Sequence, residues 1–197
     1  MKNNNLSAIE VTPKTGKELF LNNLKSMGTN ITDFWKWYAS DLVTNSLRGV
    51  LAEYIVAMAI GKTKDVRLEW DAIDLTTESG IKIEVKSSAY IQSWDQKQFS
   101  TISFGIPKSK GWNAKTNEYS NESRRQSDVY VFCVFSEKDQ KKANPLNLDQ
   151  WDFYVLATTK LDSAIPNQKT IVLSSLIKLC PIATDFDGLR DAIESAK

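Results

Sequence analysis

The sequence contains no histidine among its 197 residues. Serine–histidine–aspartate and cysteine–histidine catalysis are therefore excluded, and so is a zinc site with histidine ligands. The two cysteines, Cys133 and Cys180, are too few for a four-cysteine zinc site. Both lie in apolar surroundings far apart in the sequence, and we expect free thiols in a reducing compartment. The catalytic groups that remain are carboxylates, lysines, hydroxyls and a bound metal ion.

The chain also lacks long apolar runs and a strong charge of either sign. No apolar run is long enough to cross a bilayer, and the first residues, MKNNN, lack the apolar segment of a secretory signal. We therefore expect a cytoplasmic protein with no membrane partner. The formal net charge is +1, and there is no glycine-rich phosphate loop. The length and the ordinary apolar content predict a single domain.

A predicted β-hairpin is the most informative segment. Residues 72–77 and 81–88 alternate apolar and polar side chains, which is typical of strands. A three-residue loop over 78–80 would connect them, with a glycine at the left-handed position that such loops prefer. This loop length places Asp74 directly opposite Glu84, where Cβ atoms lie about 4.5–5.5 Å apart.

The register of this hairpin decides whether the two acids meet, since a shift of one residue would place them on opposite faces. In the predicted register Asp74 and Glu84 repel each other unless one is protonated or a cation lies between them. Mg²⁺ takes oxygen ligands and often uses only one or two carboxylates. Lys86, on the same face as Glu84, could stabilise charge on a phosphate or orient an attacking water. Asp71 is an alternative to Asp74, although we expect its side chain to face the other way.

A single glutamate, Glu53, interrupts a predicted helix over 47–60 that ends at Gly61 and is otherwise apolar from residue 50 onward. A helix that is apolar all round is expected to be buried. A carboxylate there is costly unless it is paired or bound to metal. Two interpretations stay open: a salt bridge to Arg48 or Lys86, or a third acid that approaches the metal ion.

Two segments flank the predicted core. The first, residues 1–45, is predicted to be a helical extension with helices over 17–27 and around the aromatic residues at 34–42. We expect these aromatic side chains to pack in the interior, and stacking on nucleic-acid bases is the alternative. The second, residues 136–197, is predicted to contain strands and a terminal helix.

The core itself is assigned to residues 46–135. A strand is predicted over 66–70, before the hairpin. The almost wholly apolar segment 128–135 predicts a central strand that is buried on both faces. Residues 107–127 are polar and predict a long surface loop, with a short helix near 121–126.

These residues together resemble the PD-(D/E)XK nuclease superfamily, which has the restriction-endonuclease-like fold. The resemblance rests on Glu53 in a helix, Asp74 on one strand and Glu84-Val85-Lys86 on the next, and it covers about half of the chain. It implies an α/β fold with an αβββαβ core, in which helices flank a mixed central sheet. It also implies metal binding by Asp74 and Glu84, an auxiliary metal role for Glu53, and water activation or charge stabilisation by Lys86.

The sequence departs from the family pattern at two places. Ile73 occupies the position of the proline in the family's name, a change that the family tolerates. The second core helix is not obvious, and only the segment 121–126 could supply it. That uncertainty extends to Arg124 and Arg125, which the resemblance would place against DNA phosphates.

The resemblance implies an enzyme that depends on Mg²⁺ or Mn²⁺ and hydrolyses DNA phosphodiester bonds, with a restriction or defence role as one option. Residues 80–127 carry eight basic against four acidic side chains, and the DNA-binding candidates among them are Arg124, Arg125, Lys108 and Lys110. A homodimer would let two sites cut two strands. The alternatives are a catalytically inactive nuclease-fold protein that binds DNA or serves as a subunit, and a structural ion cluster in a protein-interaction domain.

Overall fold

A computed structural model describes residues 9–67, 72–113 and 118–197. The chain divides into two compact units, one containing residues 9–40 and 64–67 and the other containing residues 41–63 and the described residues after position 71. Most of the predicted strand over 66–70 lies outside the described residues. In the parts of the chain that are described, no helix is long and apolar enough to cross a membrane.

The first unit is a β-hairpin followed by a helix. Strands β1 (Leu19–Asn22) and β2 (Lys25–Asn30) pair in antiparallel fashion, and helix α1 (Ile31–Ala39) follows directly. The predicted helix over 17–27 is therefore wrong. The two residues between the strands have φ angles of 49° and 64°, and such left-handed pairs form the tight turns whose twist matches a hairpin.

Helix α1 exposes its aromatic side chains. A capping box begins the helix, in which the Asn30 and Asp33 side chains each accept a hydrogen bond from the other residue's backbone N–H. No residue of α1 is buried, and Trp37 is 83% exposed. The expectation that these aromatic residues pack in the interior is therefore wrong for this helix.

A five-stranded mixed sheet is the framework of the second unit. Its strands are, in spatial order, β11 (Ile182–Thr184), β9 (Trp151–Ala157), β8 (Val129–Phe135), β4 (Lys82–Ala89) and β3 (Leu75–Thr76). Strands β4 and β8 are parallel, and the other neighbouring pairs are antiparallel. Every residue of β8 is buried, which confirms the predicted central strand.

Helices lie on both faces of this sheet, as the α/β prediction requires. One face packs against α2 (Asn45–Ala59) and α5 (Leu189–Ser195). The other face packs against two further helices and a small antiparallel sheet: α3 (Thr158–Ala164), α4 (Leu173–Lys178), β5 (Ser103–Gly105) and β10 (Thr170–Val172). A 3₁₀ turn over Leu148–Gln150 leads into β9. Helix α2 is not buried all round, since Tyr54 is 51% exposed.

The described residues of the crossover from β4 to β8 contain strands and no helix. Parallel strands need a long crossover, which is usually helical. Here the segment forms β5 and then a second hairpin of β6 (Ser109–Asn113) and β7 (Glu118–Arg124). The predicted surface loop with a helix at 121–126 is therefore wrong. A cross-strand aromatic pair, Trp112 and Tyr119, joins the two strands of this hairpin.

Candidate active site

The β3–β4 hairpin has the predicted turn and register. Strand β3 pairs with β4 in the predicted register, with Leu75 opposite Ile83 and Thr76 opposite Lys82. Asp74 lies just before β3, and its backbone N–H donates to the Ile83 carbonyl at 3.1 Å. The backbone N–H of Thr77 donates to the Ile81 carbonyl at 3.0 Å. Gly80 adopts a φ of +85°, the left-handed conformation that favours glycine. The turn therefore sets which residues of the two strands face each other.

Three charged side chains cluster beside this pairing. The Oδ2 atom of Asp74 accepts a hydrogen bond from the backbone N–H of Val85 at 2.7 Å. The Nζ atom of Lys86 donates to Oε1 of Glu84 at 2.5 Å. The side chains of Lys86 and Glu84 are only 29% and 21% exposed, so water and salt screen their charges less than on an open surface.

The pKa of Asp74 reports the electrostatics of the cluster. Burial, followed by the charge of Glu84, raises the pKa of Asp74 to about 6. The hydrogen bond from Val85 and the charge of Lys86 act in the opposite direction without cancelling the rise. Two acids in a partly desolvated place repel each other, and a cation near both of them would relieve that repulsion.

Glu53 lies on α2, and its charge also contributes to the raised pKa of Asp74. Arg48 was one suggested salt-bridge partner of Glu53. Its guanidinium instead donates to four uncharged oxygens, which belong to Ser87, Val43, Gln92 and Asn45. Lys86, the other suggested partner, binds Glu84. The charge of Glu53 acts on Asp74 of the hairpin, whatever other contacts Glu53 makes.

The donors present fit a hard divalent cation. Among the described residues, no group of three or more Asp, Glu or Cys side chains could hold a metal ion. The carboxylates of Asp74 and Glu84 nevertheless suffice for Mg²⁺ or Mn²⁺, because such ions often keep several waters and bind substrate phosphate. Asp71, the alternative ligand, lies outside the described residues.

Asp74 and Glu84 line a cleft of about 310 Å³. Other walls of this cleft come from β8 and from the β6–β7 hairpin, and include Tyr130, Lys110, Trp112 and Tyr119. Sequence reasoning did not single out the two aromatic residues of the hairpin, because it assigned their segment to a loop. The available signal was a pair of aromatic residues, Trp112 and Tyr119, within an otherwise polar segment of the sequence.

The predicted DNA-contact residues differ in exposure. Lys108, Lys110 and Arg124 are exposed, and Lys110 lines the cleft. Arg125 is 5% exposed. Its guanidinium binds Asp162 at 2.5 Å and also donates to the carbonyl oxygens of Ile106, Ile165 and Gln168. Arg125 therefore connects the end of the β6–β7 hairpin to the segment around α3.

Comparison with protein families places the chain in a class, the nucleases. The matching family model is described as bacteriophage T4 endonuclease IV, and it covers residues 1–175. The chain belongs to this family. A search of curated proteins gave no match.

Replacement of Asp74 should change how stability depends on pH. Its pKa is about 6 in the folded metal-free protein against a reference value of 3.8, so the folded state holds the proton more tightly than the unfolded state does. The resulting stabilisation is present below about pH 4 and is lost as the pH rises through 6. In EDTA, Asp74→Asn should therefore raise the free energy of unfolding at pH 7.5 by roughly 1–3 kcal/mol and change it little at pH 3.5.

Urea denaturation at the two pH values measures this difference. The matched control is Asp152→Asn, which replaces an exposed aspartate on β9. It should change the free energy of unfolding by the same small amount at both pH values. An equal loss of stability at both pH values in Asp74→Asn would contradict the raised pKa.

Two adjacent arginines should differ sharply in their effect on stability. Arg125→Ala removes a buried guanidinium and leaves Asp162 without its partner. We expect a loss of roughly 2–4 kcal/mol, somewhat smaller than the roughly 3–5 kcal/mol for fully buried pairs, because Asp162 is 44% exposed. Arg124→Ala, at an exposed position, should change stability by less than about 0.5 kcal/mol. Urea denaturation compares the two variants, and similar values would refute the structural role of Arg125.

Proposed function

We propose that this protein is a metal-dependent nuclease that hydrolyses DNA phosphodiester bonds at the cluster of Asp74, Glu84 and Lys86. The observation that carries the proposal is that Asp74 and Glu84 line the same cleft beside the β3–β4 hairpin, with the Lys86 ammonium 2.5 Å from Glu84. Membership of an endonuclease family supports the reaction class. The resemblance to the PD-(D/E)XK superfamily supports the assignment of the individual residues.

Different side chains of the cluster would have different roles in such a site. Mg²⁺ or Mn²⁺ bound at Asp74 and Glu84 would polarise the scissile phosphate and lower the pKa of a bound water. Lys86 supplies a fixed positive charge near the place where negative charge develops, and Glu84 orients its ammonium group. Glu53 adds negative charge to the same place, which strengthens the attraction for a divalent cation.

Substrate binding needs positive charge outside the acidic cluster. Lys108, Lys110 and Arg124 are exposed on or beside the β6–β7 hairpin, where they are available to phosphates of the DNA backbone. Arg125 does not belong to this group, because its guanidinium N–H groups donate to Asp162 and to backbone carbonyl oxygens within the protein. A restriction or defence role and a homodimer that cuts two strands are part of the same proposal.

Burial is the first cause of the raised pKa of Asp74, and the negative charges of Glu84 and Glu53 add to it. A cation bound near these carboxylates would relieve their repulsion, which supports a cation site over a purely structural ion cluster.

Cleavage assays with supercoiled plasmid and linear DNA test the proposal. The wild-type protein should cleave with Mg²⁺ or Mn²⁺ and should be inactive in EDTA. Lys86→Ala and Asp74→Asn should each lower the rate by about 10²–10³-fold, the usual effect of removing one group that stabilises the transition state. Lys178→Ala, an exposed lysine on α4 that does not line the cleft, is the control and should cleave at the wild-type rate.

Cleavage that survives both substitutions would place the active site elsewhere. Absence of cleavage by the folded wild-type protein with every metal ion tested would instead favour an inactive nuclease fold.

A further inference from the structure

We propose that Trp112 and Tyr119 form a stacking surface for one unstacked nucleobase, next to the phosphate that is cleaved. The inference rests on the proposed function, because it describes how the same site holds its substrate. It assigns a substrate-positioning role to two residues of the β6–β7 hairpin that the catalytic chemistry does not require.

The position of the two rings is the first argument. Their centroids are 4.8 Å apart with an interplanar angle of 52°, and both rings line the cleft that contains Asp74 and Glu84. Tyr119 is 67% exposed. Neither residue belongs to the buried clusters on the two faces of the sheet. The pair therefore presents aromatic surface to a cleft that is lined by two acids, Asp74 and Glu84, and two bases, Lys110 and Arg125.

The composition of the hairpin is the second argument. Strands β6 and β7 read SKGWN and EYSNESR, so the other residues of both strands are polar or glycine. A hairpin with no apolar face has no core of its own for these rings to join. Large aromatic side chains on such an element are typical of binding surfaces.

An irregularity in the hairpin brings the two rings together. Lys110 pairs with Ser123, and a regular ladder would continue to Trp112 opposite Asn121. The register shifts between these pairs, and Tyr119 takes the place opposite Trp112. Irregularities of this kind re-aim side chains and are common next to active sites.

Hydrogen bonds of Ser120 hold this irregular geometry. Its hydroxyl accepts from the backbone N–H of Gly111 at 3.0 Å and donates to the carbonyl of Glu122 at 2.8 Å. These two hydrogen bonds fix the backbone of β6 and β7 where the register shifts.

The cleft selects the kind of ligand by size and charge. Its volume of about 310 Å³ is at the lower end for ligand pockets, which suits one nucleotide and not a stacked base pair. A neutral base can lie against the rings without repulsion from the acids, and Lys110 on the same wall can attract the adjoining phosphate. In a duplex the neighbouring bases cover both faces of a base, so only an unstacked base can use this surface.

A binding experiment with and without bases tests the inference. The Lys86→Ala protein in EDTA is the non-cleaving background. Fluorescence anisotropy measures its affinity for a labelled mixed-sequence oligodeoxynucleotide and for a strand of equal length whose sugars carry no bases. Stacking contributes roughly 1–3 kcal/mol per base, so adding Trp112→Ala or Tyr119→Ala should weaken binding of the first strand by about 5- to 100-fold. Binding of the abasic strand should stay unchanged.

Controls separate stacking from a loss of structure. Trp112→Phe keeps an aromatic face and should retain most of the affinity for the base-containing strand. Trp94→Ala removes a tryptophan that is 53% exposed and does not line the cleft, and it should bind both strands like the background protein.

Two results would overturn the inference while leaving the nuclease assignment intact. In one, Trp112→Ala weakens binding of the base-containing and the abasic oligonucleotide equally, which means that the ring only stabilises the hairpin. In the other, neither aromatic substitution changes affinity. Failure of the wild-type protein to cleave DNA would instead refute the proposed function, so the two failures are distinguishable.

Discussion

Two carboxyl groups held close together at the β3–β4 hairpin, those of Asp74 and Glu84, are the constraint on which the site depends. Their repulsion, added to burial, raises the pKa of Asp74 to about 6, so the arrangement opposes folding at neutral pH. The apolar face of β4 supplies the compensation, because Ile83 and Val85 are buried in the core. A slip of one residue would expose this apolar face. The alternation that buries it therefore also places Glu84 and Lys86 on the opposite face of β4, where Glu84 lines the cleft.

The site also depends on the crossover from β4 to β8, because this segment contributes residues to the cleft. Strands β4 and β8 are parallel, so the chain between them must travel the length of the sheet. The second sheet face is covered by α3, α4, β5 and β10, which frees the rest of the crossover for the β6–β7 hairpin. The sheet thus carries the acids and the lysine, while the hairpin carries the aromatic rings and Lys110. In the nuclease that we propose, the catalytic groups and the substrate contacts would therefore lie on separate elements.

The parts that the sequence predicts are those governed by local rules. Strand alternation and the glycine turn predict the β3–β4 register, and an unbroken apolar run predicts β8. The β6–β7 hairpin is made of polar residues, which leave no apolar period to detect, so its strands read as a loop and a helix. The burial of Arg125 depends on Asp162, which lies 37 residues away in the sequence. No local pattern contains such a contact.

The most direct test of the account is the position of a bound metal ion. Crystals grown or soaked with Mn²⁺ should give an anomalous difference peak between Asp74 and Glu84, about 2.1 Å from one carboxylate oxygen of each residue. No peak at that position in crystals saturated with Mn²⁺, or a peak held by other residues, would contradict the assignment of these two acids as metal ligands.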